Sequence, residues 1–392
     1  MTEMKNDMET KLSVYRTNRT NIQFSLLSAI GAVLVVSGHC YIGGISLAYE
    51  WFPIYSFQLS LFVFISGYFY KPEYERNAFH YILKRFKRLV IPAYLWNIVY
   101  GLFILLMKSA DYSIGAAVDP FNLFVMPFVD GEAFQYNLGS WFVYPLFVVC
   151  AFNVLFRKLT SFAKIHNDYL ILVLYLIIGV LGVRHAVEGR STGVMKLLTR
   201  AMFFLPFYQF GVLYRARWER KDRLNSTAYF AVLFTVQLLI LTFYQELQYY
   251  PSAMSGFDNG TVLPYVTSLT GIAFWLRISR LLAPTVGSSR IIRLISENTY
   301  SIMIHQMMGF MCVKWLFYLI SLITGLFPDF SRQLMTQSIW YYYLPNGRQQ
   351  YGMLYMAAGI ILPIAIKTVG DKLFCYGKKL VIGALHGRVQ NT

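Results

Sequence analysis

Charged residues are scarce in this chain. They make up 14% of its 392 residues, whereas 56% of the residues are hydrophobic, and a soluble domain usually has about a quarter charged residues. This shortage argues against an ordinary water-soluble enzyme and indicates that lipid surrounds much of the chain. The remaining charge is unbalanced, with 35 Lys and Arg against 19 Asp and Glu. The loop positions of these cations, described below, fit a membrane protein better than a nucleic-acid binder.

Several motif types are also missing. The four cysteines lie far apart without a CxxC pair, so the sequence offers no disulfide framework. There is no HExxH sequence, no paired-carboxylate motif and no Gly-rich phosphate loop. We therefore expect no bound metal and no bound cofactor. Neither an internal repeat nor a polar linker long enough to hold a soluble domain is present.

Long apolar segments are abundant instead. A membrane-spanning helix needs about 20 mainly apolar residues, and the fifth and sixth of the segments below are short by this measure. The sequence predicts an all-α, polytopic integral membrane protein with about ten transmembrane helices, the first of them a retained signal anchor. The ten segments lie near residues 22–42, 52–70, 89–108, 138–156, 168–183, 201–214, 226–245, 260–276, 299–320 and 350–366.

Basic residues are concentrated in alternate loops. Residues 71–88 contain six Lys and Arg, whereas residues 109–137 contain four acids and no base. Since cytoplasmic loops carry the excess of Lys and Arg, we predict that both termini are cytoplasmic. The predicted organisation is a cytoplasmic tail over 1–20, a transmembrane domain over 21–370 and a second cytoplasmic tail over 371–392.

His39 is the first candidate functional residue. It ends the apolar run "VVSGH" and lies at the outer end of the first span under this topology. An imidazole exchanges a proton near neutral pH, as a general base for a hydroxyl must do. A neutral histidine bonded to a neighbouring helix or to interfacial water is the alternative, and the residue taken alone favours that alternative.

A basic cluster precedes the third span. Lys84, Arg85 and Arg88 lie in "LKRFKRLVIP", where the two arginines are three residues apart. One phosphate group can be reached by two arginines at this spacing, which suggests an anion clamp. A plain stop-transfer cluster is the alternative interpretation, and it is slightly favoured on the residues alone.

Two further stretches supply a possible polar pocket. Ser140 and Trp141 lie in "LGSWFVYPLF" at the outer start of the fourth span, where Trp141 has an interfacial anchor as its simplest role. Tyr300 and His305 lie early in the ninth span, and a packing role for His305 is at least as well supported as a ligand role. We expect His305 on the cytoplasmic half of the membrane, at the opposite depth from His39.

Taken together, these stretches resemble the acyltransferase-3 family of bacterial membrane enzymes, particularly members that O-acetylate surface polysaccharides. The resemblance rests on six stretches: "AVLVVSGH" ending at His39, "FQLSLFVFISGYFY", "RFKRLVIP", "GSWFVYPLF", "FFLPFYQFGVLY" and "ISENTYSIMIH". They occur in the family's order and extend from about residue 21 to 370. The resemblance departs from the family pattern at Ser28, where Arg or Lys is usual, and at Ser25, Gln58 and Ser60.

The resemblance implies an O-acyltransferase of the bacterial plasma membrane. Its donor would be acyl-CoA, expected to be acetyl-CoA, held by Arg85, Arg88 and Lys84 at the cytoplasmic side. Its acceptor would be a hydroxyl of a surface glycan or a lipid-linked sugar, with His39 as catalytic base. The lipid bilayer is the other expected partner, and nucleic acid is not one.

Two other functions stay open. A polysaccharide flippase or polymerase-type protein would use Arg184, Arg190, Lys196 and Arg200, which the predicted topology places outside near "VRHAVEGR". A catalytically silent membrane partner is suggested by Ser28. The sequence leaves undetermined the acceptor glycan and its hydroxyl, the acyl chain, the oligomeric state and the acid that orients His39. The candidate acids are Glu50, Glu132, Glu188 and Asp258.

Overall fold

A computed structural model gives the architecture and describes residues 21–40, 51–131, 134–244, 247, 252 and 255–389. All regular structure in these ranges is helical. We number the ten long helices in chain order: α1 Ile22–His39, α2 Ile54–Tyr68, α3 Ile91–Lys108, α4 Val143–Phe162, α5 Asp168–Val187, α6 Val194–Leu213, α7 Ser226–Phe243, α8 Leu263–Val286, α9 Thr299–Thr324 and α10 Gly352–Val389.

Shorter helical pieces connect these ten. They are the α-helices Ala78–Arg85, Pro120–Phe124, Met126–Val129, Glu219–Lys221, Arg290–Glu297 and Arg332–Gln337, the π-helical turns Phe86–Val90 and Tyr214–Trp218, and the 3₁₀ turns Pro72–Glu75, Gln135–Phe142, Pro345–Gly347 and Gln349–Tyr351. Pro92 lies at the start of α3, directly after the first π-helical turn. Because proline lacks an N–H group, it removes one helical hydrogen bond at this point.

Each of the ten predicted segments overlaps a long helix, which confirms the all-α class; residues 41–42 of the first segment lie outside the described residues. Seven helical stretches of the described chain are both long and apolar enough to cross a membrane: Ile22–His39, Ala78–Lys108, Gln135–Phe162, Asp168–Val187, Ser226–Phe243, Thr299–Thr324 and Gln349–Lys372. Helix α2 is apolar but has 15 residues, and α6 and α8 each carry two basic residues. The chain is a multi-pass membrane protein, while the number of ten spans and the cytoplasmic termini stay predictions.

Helix α1 lies between two hydrophobic clusters. Phe24 and Leu27 belong to the cluster built around α2, α4, α6 and α8, whereas Ala32 and Val36 belong to the cluster around α3, α9 and α10. Asn21 caps the start of α1 by accepting a hydrogen bond from the backbone of Phe24, which satisfies one of the free N–H groups there. Both clusters therefore hold α1 and fix the position of its last residue, His39.

Helices α2 and α6 cross at very short distance. A Cβ atom on Gly67 would lie 1.9 Å from the carbonyl oxygen of Tyr208, and one on Gly211 would lie 2.0 Å from that of Phe64. Small residues at such crossings let two backbones approach within a membrane. The glycine that ends "FVFISG" is thus explained by packing at this crossing.

Candidate functional site

The His39 side chain folds back along its own helix. Its Nδ1 lies 2.8 Å from the carbonyl oxygen of Val35, one turn earlier, and the ring is half-buried. A carbonyl oxygen can only accept a hydrogen bond, so Nδ1 carries the hydrogen in the neutral ring. The lone pair is then on Nε2, the nitrogen that a general base would use.

Aromatic side chains surround His39. The Tyr55 ring meets it edge-on at 6.1 Å, and the Trp340 ring lies 6.2 Å away and only 18° from parallel. The Tyr342 hydroxyl donates to the backbone oxygen of His39 at 2.6 Å. The Gln306 side-chain amide also interacts with His39. Sequence reasoning missed all four neighbours, although the run "WYYY" at 340–343 was a visible signal.

Residues 338–344, which we call the aromatic strap, cross the end of α1. They connect the short helix Arg332–Gln337 to the turn Pro345–Gly347. Tyr343 is buried and donates through its hydroxyl to Asp329. Burial, together with this hydrogen bond, raises the pKa of Tyr343 above its usual range. The hydroxyl therefore stays protonated and keeps donating at neutral pH.

Lys314 bonds to the backbone of the strap. This lysine lies in α9, is 1% exposed, and donates to the carbonyl oxygen of Ile339. Its ammonium group also lies 5.0 Å from the centre of the Tyr342 ring. A cation inside a membrane span is costly and is an indicator of function. The lone basic residue in the ninth span was the sequence signal for it.

The Ser140 part of the predicted pocket lies against α9. Ser140 donates to the side-chain oxygen of Asn137 at 2.6 Å, and both residues are buried. A Cβ on Gly139 would lie 2.2 Å from the carbonyl oxygen of Met303, the same oxygen that Gln306 contacts. The structure thus connects this turn to His39 through α9, while Ser140 itself makes no contact with His39.

Trp141 does not join this group. The guanidinium of Arg200 lies 4.1 Å from the centre of its ring, and Arg200 also donates to the carbonyl oxygens of Asp130 and Ser252. Trp141 is 6% exposed. In the structure it is therefore a buried partner of an arginine and not an interfacial anchor.

His305 and Tyr300 face α3 and its start. The Nδ1 of His305 lies 2.8 Å from the hydroxyl of Tyr100, and the Trp96 ring packs edge-on against the imidazole at 4.3 Å. Tyr300 donates to the carbonyl oxygen of Leu89. The expectation that His305 lies at the opposite depth from His39 is wrong, because the next residue, Gln306, interacts with His39. Among the described residues, no cluster of His, Cys, Asp and Glu is arranged to hold a metal.

The predicted anion clamp contains one half-buried and two exposed cations. Arg85 donates to the hydroxyl of Tyr81 at 3.1 Å and is half-buried, whereas Lys84 and Arg88 are exposed. The π-helical turn Phe86–Val90 begins directly after Arg85, which changes the simple one-turn relation between the two arginines. Their role in binding a donor stays a prediction.

This basic cluster lies near the opposite end of α1 from His39. Tyr81 packs against Tyr70 at 6.4 Å, and the nearby Tyr68 stacks on Phe24 in the first turn of α1 at 3.5 Å. Helix α1 has 18 residues, which corresponds to roughly 27 Å at 1.5 Å per residue. The basic cluster therefore lies toward the start of α1, but the bond from Tyr300 to Leu89 brings the end of the cluster within about two helical turns of Gln306 along α9.

The cations that suggested a glycan-transport function mostly have acidic partners. Arg184 and Arg190 both pair with Glu188, at 3.2 Å and 3.3 Å, and Lys196 pairs with Asp130. Arg200 is buried against Trp141, as described above. The four cations that favoured a flippase or polymerase therefore share two carboxylates, Glu188 and Asp130, so that their charge is partly neutralised.

No carboxylate among the described residues bonds His39. Glu188 is engaged with the two arginines, and Glu50 and Glu132 lie outside the described residues. The carbonyl oxygen of Val35 is in the position where an orienting acid was expected. A cleft of about 400 Å³, bordered by Phe64 and Trp218 among others, contains none of the predicted site residues.

Comparison with known proteins agrees with the resemblance seen in the motifs. No curated protein and no solved structure matches the chain. The family model described as an acyltransferase domain, of the acyltransferase-3 type, matches residues 21–368. This match includes α1 with His39, the basic cluster at Arg85 and Arg88, and the aromatic strap. Because it covers most of the chain, the protein belongs to the acyltransferase-3 family of membrane acyltransferases.

Proposed function

We propose that this protein transfers an acetyl group from cytoplasmic acetyl-CoA to a hydroxyl group of a surface glycan or lipid-linked sugar, across the bacterial plasma membrane. The observation that carries the proposal is the contact of His39 Nδ1 with the carbonyl oxygen of Val35, which requires the hydrogen on Nδ1 and puts the lone pair of the neutral ring on Nε2. Family membership supports the acyl-transfer reaction, and the choice of acetyl donor and glycan acceptor is our inference.

The chemistry requires one base. Nε2 of His39 takes the proton of the acceptor hydroxyl, and the oxygen attacks the thioester carbonyl carbon. A new C–O bond forms while the C–S bond breaks, and the proton passes from His39 to the sulfur of the departing coenzyme A. The Val35 carbonyl oxygen stabilises the protonated ring through the Nδ1–H bond.

The donor is held at the other end of α1. Its phosphates are recognised by Lys84 and Arg88, which are exposed, and by Arg85, which Tyr81 orients. Since the basic cluster lies toward the start of α1 and His39 is at its end, the acyl-carrying arm of the donor extends between them through the bundle. This arrangement brings the acetyl group to His39 and leaves the polyanionic part of the donor in the cytoplasm.

Replacement of His39 tests this proposal. A positioned general base contributes about 10²–10⁴-fold to rate, so His39→Ala should reduce transfer of labelled acetyl from acetyl-CoA to near background in membranes. His166→Ala is the matched control, because His166 is an exposed imidazole in the turn between α4 and α5 and its loss should leave transfer unchanged.

Protein abundance must be equal in the three samples, and acetyl content of the surface glycan is measured by NMR. Near-normal acetylation with His39→Ala would remove His39 as the base. Absence of acetyl transfer by the wild-type protein, combined with altered glycan export on deletion, would favour the flippase or polymerase function. No effect on either process would favour a catalytically silent partner.

A further inference from the structure

The aromatic strap is fastened on both sides of Trp340. Before it, Ile339 accepts a hydrogen bond from Lys314. After it, the Tyr342 hydroxyl bonds to the backbone of His39, and the backbone N–H of Tyr343 donates to the hydroxyl of Tyr355 at 3.0 Å. The position of Trp340 is therefore fixed by its neighbours and needs no contribution from the indole.

Trp340 differs from its neighbours in exposure. Its side chain is 42% exposed, whereas Ile339 is 3% and Tyr343 is 5% exposed. The backbone N–H of Trp340 is bonded to the side chain of Ser338, but its indole N–H makes no hydrogen bond to another described residue. A rigid backbone thus holds a large aromatic surface and a free donor open to the surroundings.

The exposed indole lies beside the catalytic ring. Its centre is 6.2 Å from that of the His39 imidazole, and the two planes differ by 18°. A sugar ring stacked on the exposed part of the indole would therefore lie in the neighbourhood of the imidazole. The indole N–H can then donate to an oxygen of the sugar, since tryptophan combines an apolar face with a polar edge.

A pyranose suits this position better than other flat ligands. Binding sites commonly combine aromatic walls with a few polar groups that fix orientation, and Tyr55 supplies a second aromatic wall at His39. The adenine of coenzyme A also stacks on aromatic rings, but its phosphates require cations, and the exposed basic cluster is near the far end of α1. Lys314 at the strap is buried; the exposed Arg332 and Arg348 flank the strap, so adenine is the competing ligand that the experiment must test.

We propose that Trp340 is the platform on which the acceptor sugar ring stacks, so that a ring hydroxyl is presented to Nε2 of His39. This inference rests on the proposed function and adds the residue that selects a pyranose acceptor. Trp340 contacts substrate in this role, whereas Lys314 and Tyr342 act as positioning residues.

The first experiment measures binding without catalysis. Saturation-transfer NMR is performed on the full-length protein in nanodiscs free of sugar-based detergents, with methyl β-D-glucopyranoside and methyl β-D-galactopyranoside as probes. The aromatic protons of the protein are irradiated. We expect saturation of the pyranose C–H protons with the wild type and with His39→Ala, and loss of this signal with Trp340→Leu.

Two variants serve as controls. Trp315→Leu removes a half-buried indole that stacks on Tyr112 and makes no recorded contact with His39, so the sugar signal should persist. Trp340→Phe keeps an aromatic face and should retain part of the signal. An unchanged signal in Trp340→Leu would overturn the platform. So would saturation of the adenine protons that requires Trp340 when acetyl-CoA replaces the glycosides as the probe, combined with no saturation of the sugar protons.

The second experiment measures kinetics. In Trp340→Leu the KM for the acceptor should rise about tenfold, equivalent to 1.4 kcal/mol, with kcat nearly unchanged. A lipid-interface anchor would instead lower the amount of inserted protein and leave KM constant, and that result would refute the inference. If the wild type transfers no acetyl group, the proposed function fails, while the NMR result still decides whether Trp340 binds sugar.

Discussion

Replacement of Lys314 by methionine should separate stability from activity. The variant loses a charge-assisted hydrogen bond to Ile339, worth about 1.5–3 kcal/mol, and a cation–π contact with Tyr342, worth about 0.5–2 kcal/mol. Against this, removal of a lysine from a membrane-spanning helix relieves about 2.5–3.5 kcal/mol. The two losses together and the gain are of similar size, so they nearly cancel. Lys314 is 1% exposed and methionine fills a similar volume, so the packing around this position should change little. We therefore expect a small change in unfolding temperature.

The strap, in contrast, loses its tether in Lys314→Met. Hydrogen exchange of the peptide covering residues 338–344, measured by mass spectrometry, should become faster, and acetyl transfer should fall because Trp340 and Tyr342 are no longer held at His39. Tyr342→Phe is a milder comparison, since it removes the hydroxyl that bonds to His39 and keeps the ring. Its expected stability cost is about 0.5–1.5 kcal/mol.

Two results would refute this reasoning. A loss of more than about 3 kcal/mol in Lys314→Met would mean that the ammonium group has a stronger partner than Ile339 and Tyr342, because removing one member of a buried charge pair costs 3–5 kcal/mol. Unchanged hydrogen exchange in the strap would mean that the bond to Ile339 does not hold this segment in place.

Two further predictions follow from packing and exposure. Gly67→Ala should destabilise the protein by about 1–3 kcal/mol, because the added Cβ would meet the carbonyl oxygen of Tyr208 at the α2–α6 crossing. Thermal unfolding measures this loss, with Gly370→Ala as a control whose Cβ meets no other atom. Equal stability of the two variants would contradict the prediction. Arg88→Gln should weaken acyl-CoA binding about tenfold or more without changing stability, since a charge-assisted hydrogen bond is worth about 1.5–3 kcal/mol. Arg85→Gln should weaken binding and also lower the unfolding temperature, because Arg85 bonds to Tyr81. Titration with acetyl-CoA and thermal unfolding distinguish the two, and identical behaviour would disprove the different environments.

Composition and hydrophobic segments were sufficient to predict the helices. Each span buries an apolar surface of its own sequence, so a run of about 20 apolar residues predicts its position with little tertiary information. Hydropathy alone does not settle the number of spans. Helices α6 and α8 contain the arginines Arg200 and Arg277, which lower the hydropathy of these segments although both residues are buried in the bundle. Arg277 is held by Asp222, a partner 55 residues away that segment hydropathy does not see.

The site was predictable only where one segment sufficed. His39 ends a recognisable run, and its Nδ1 partner is one turn away in the same helix. The strap is different, because "WYYY" has the composition of any membrane-interface belt. Its position at His39 depends on the bond from Tyr342 to His39, two residues 303 positions apart in the sequence. Such a register is set by the packing of α9 and α10 against α1, and a single sequence does not specify that packing.

The departure from the family pattern at Ser28 acquires a physical meaning from the fold. Its hydroxyl donates to the carbonyl oxygen of Phe24 in the same helix at 2.8 Å, so it is satisfied locally and brings no positive charge to the bundle. Gln58, at the position where the family has histidine, is buried with an unpaired side-chain oxygen. Neither residue can replace the cation or the imidazole that the family usually has there. Under the proposed function, donor recognition in this chain then depends on the basic cluster before α3, and proton transfer depends on His39 alone among the two family imidazole positions in α1 and α2.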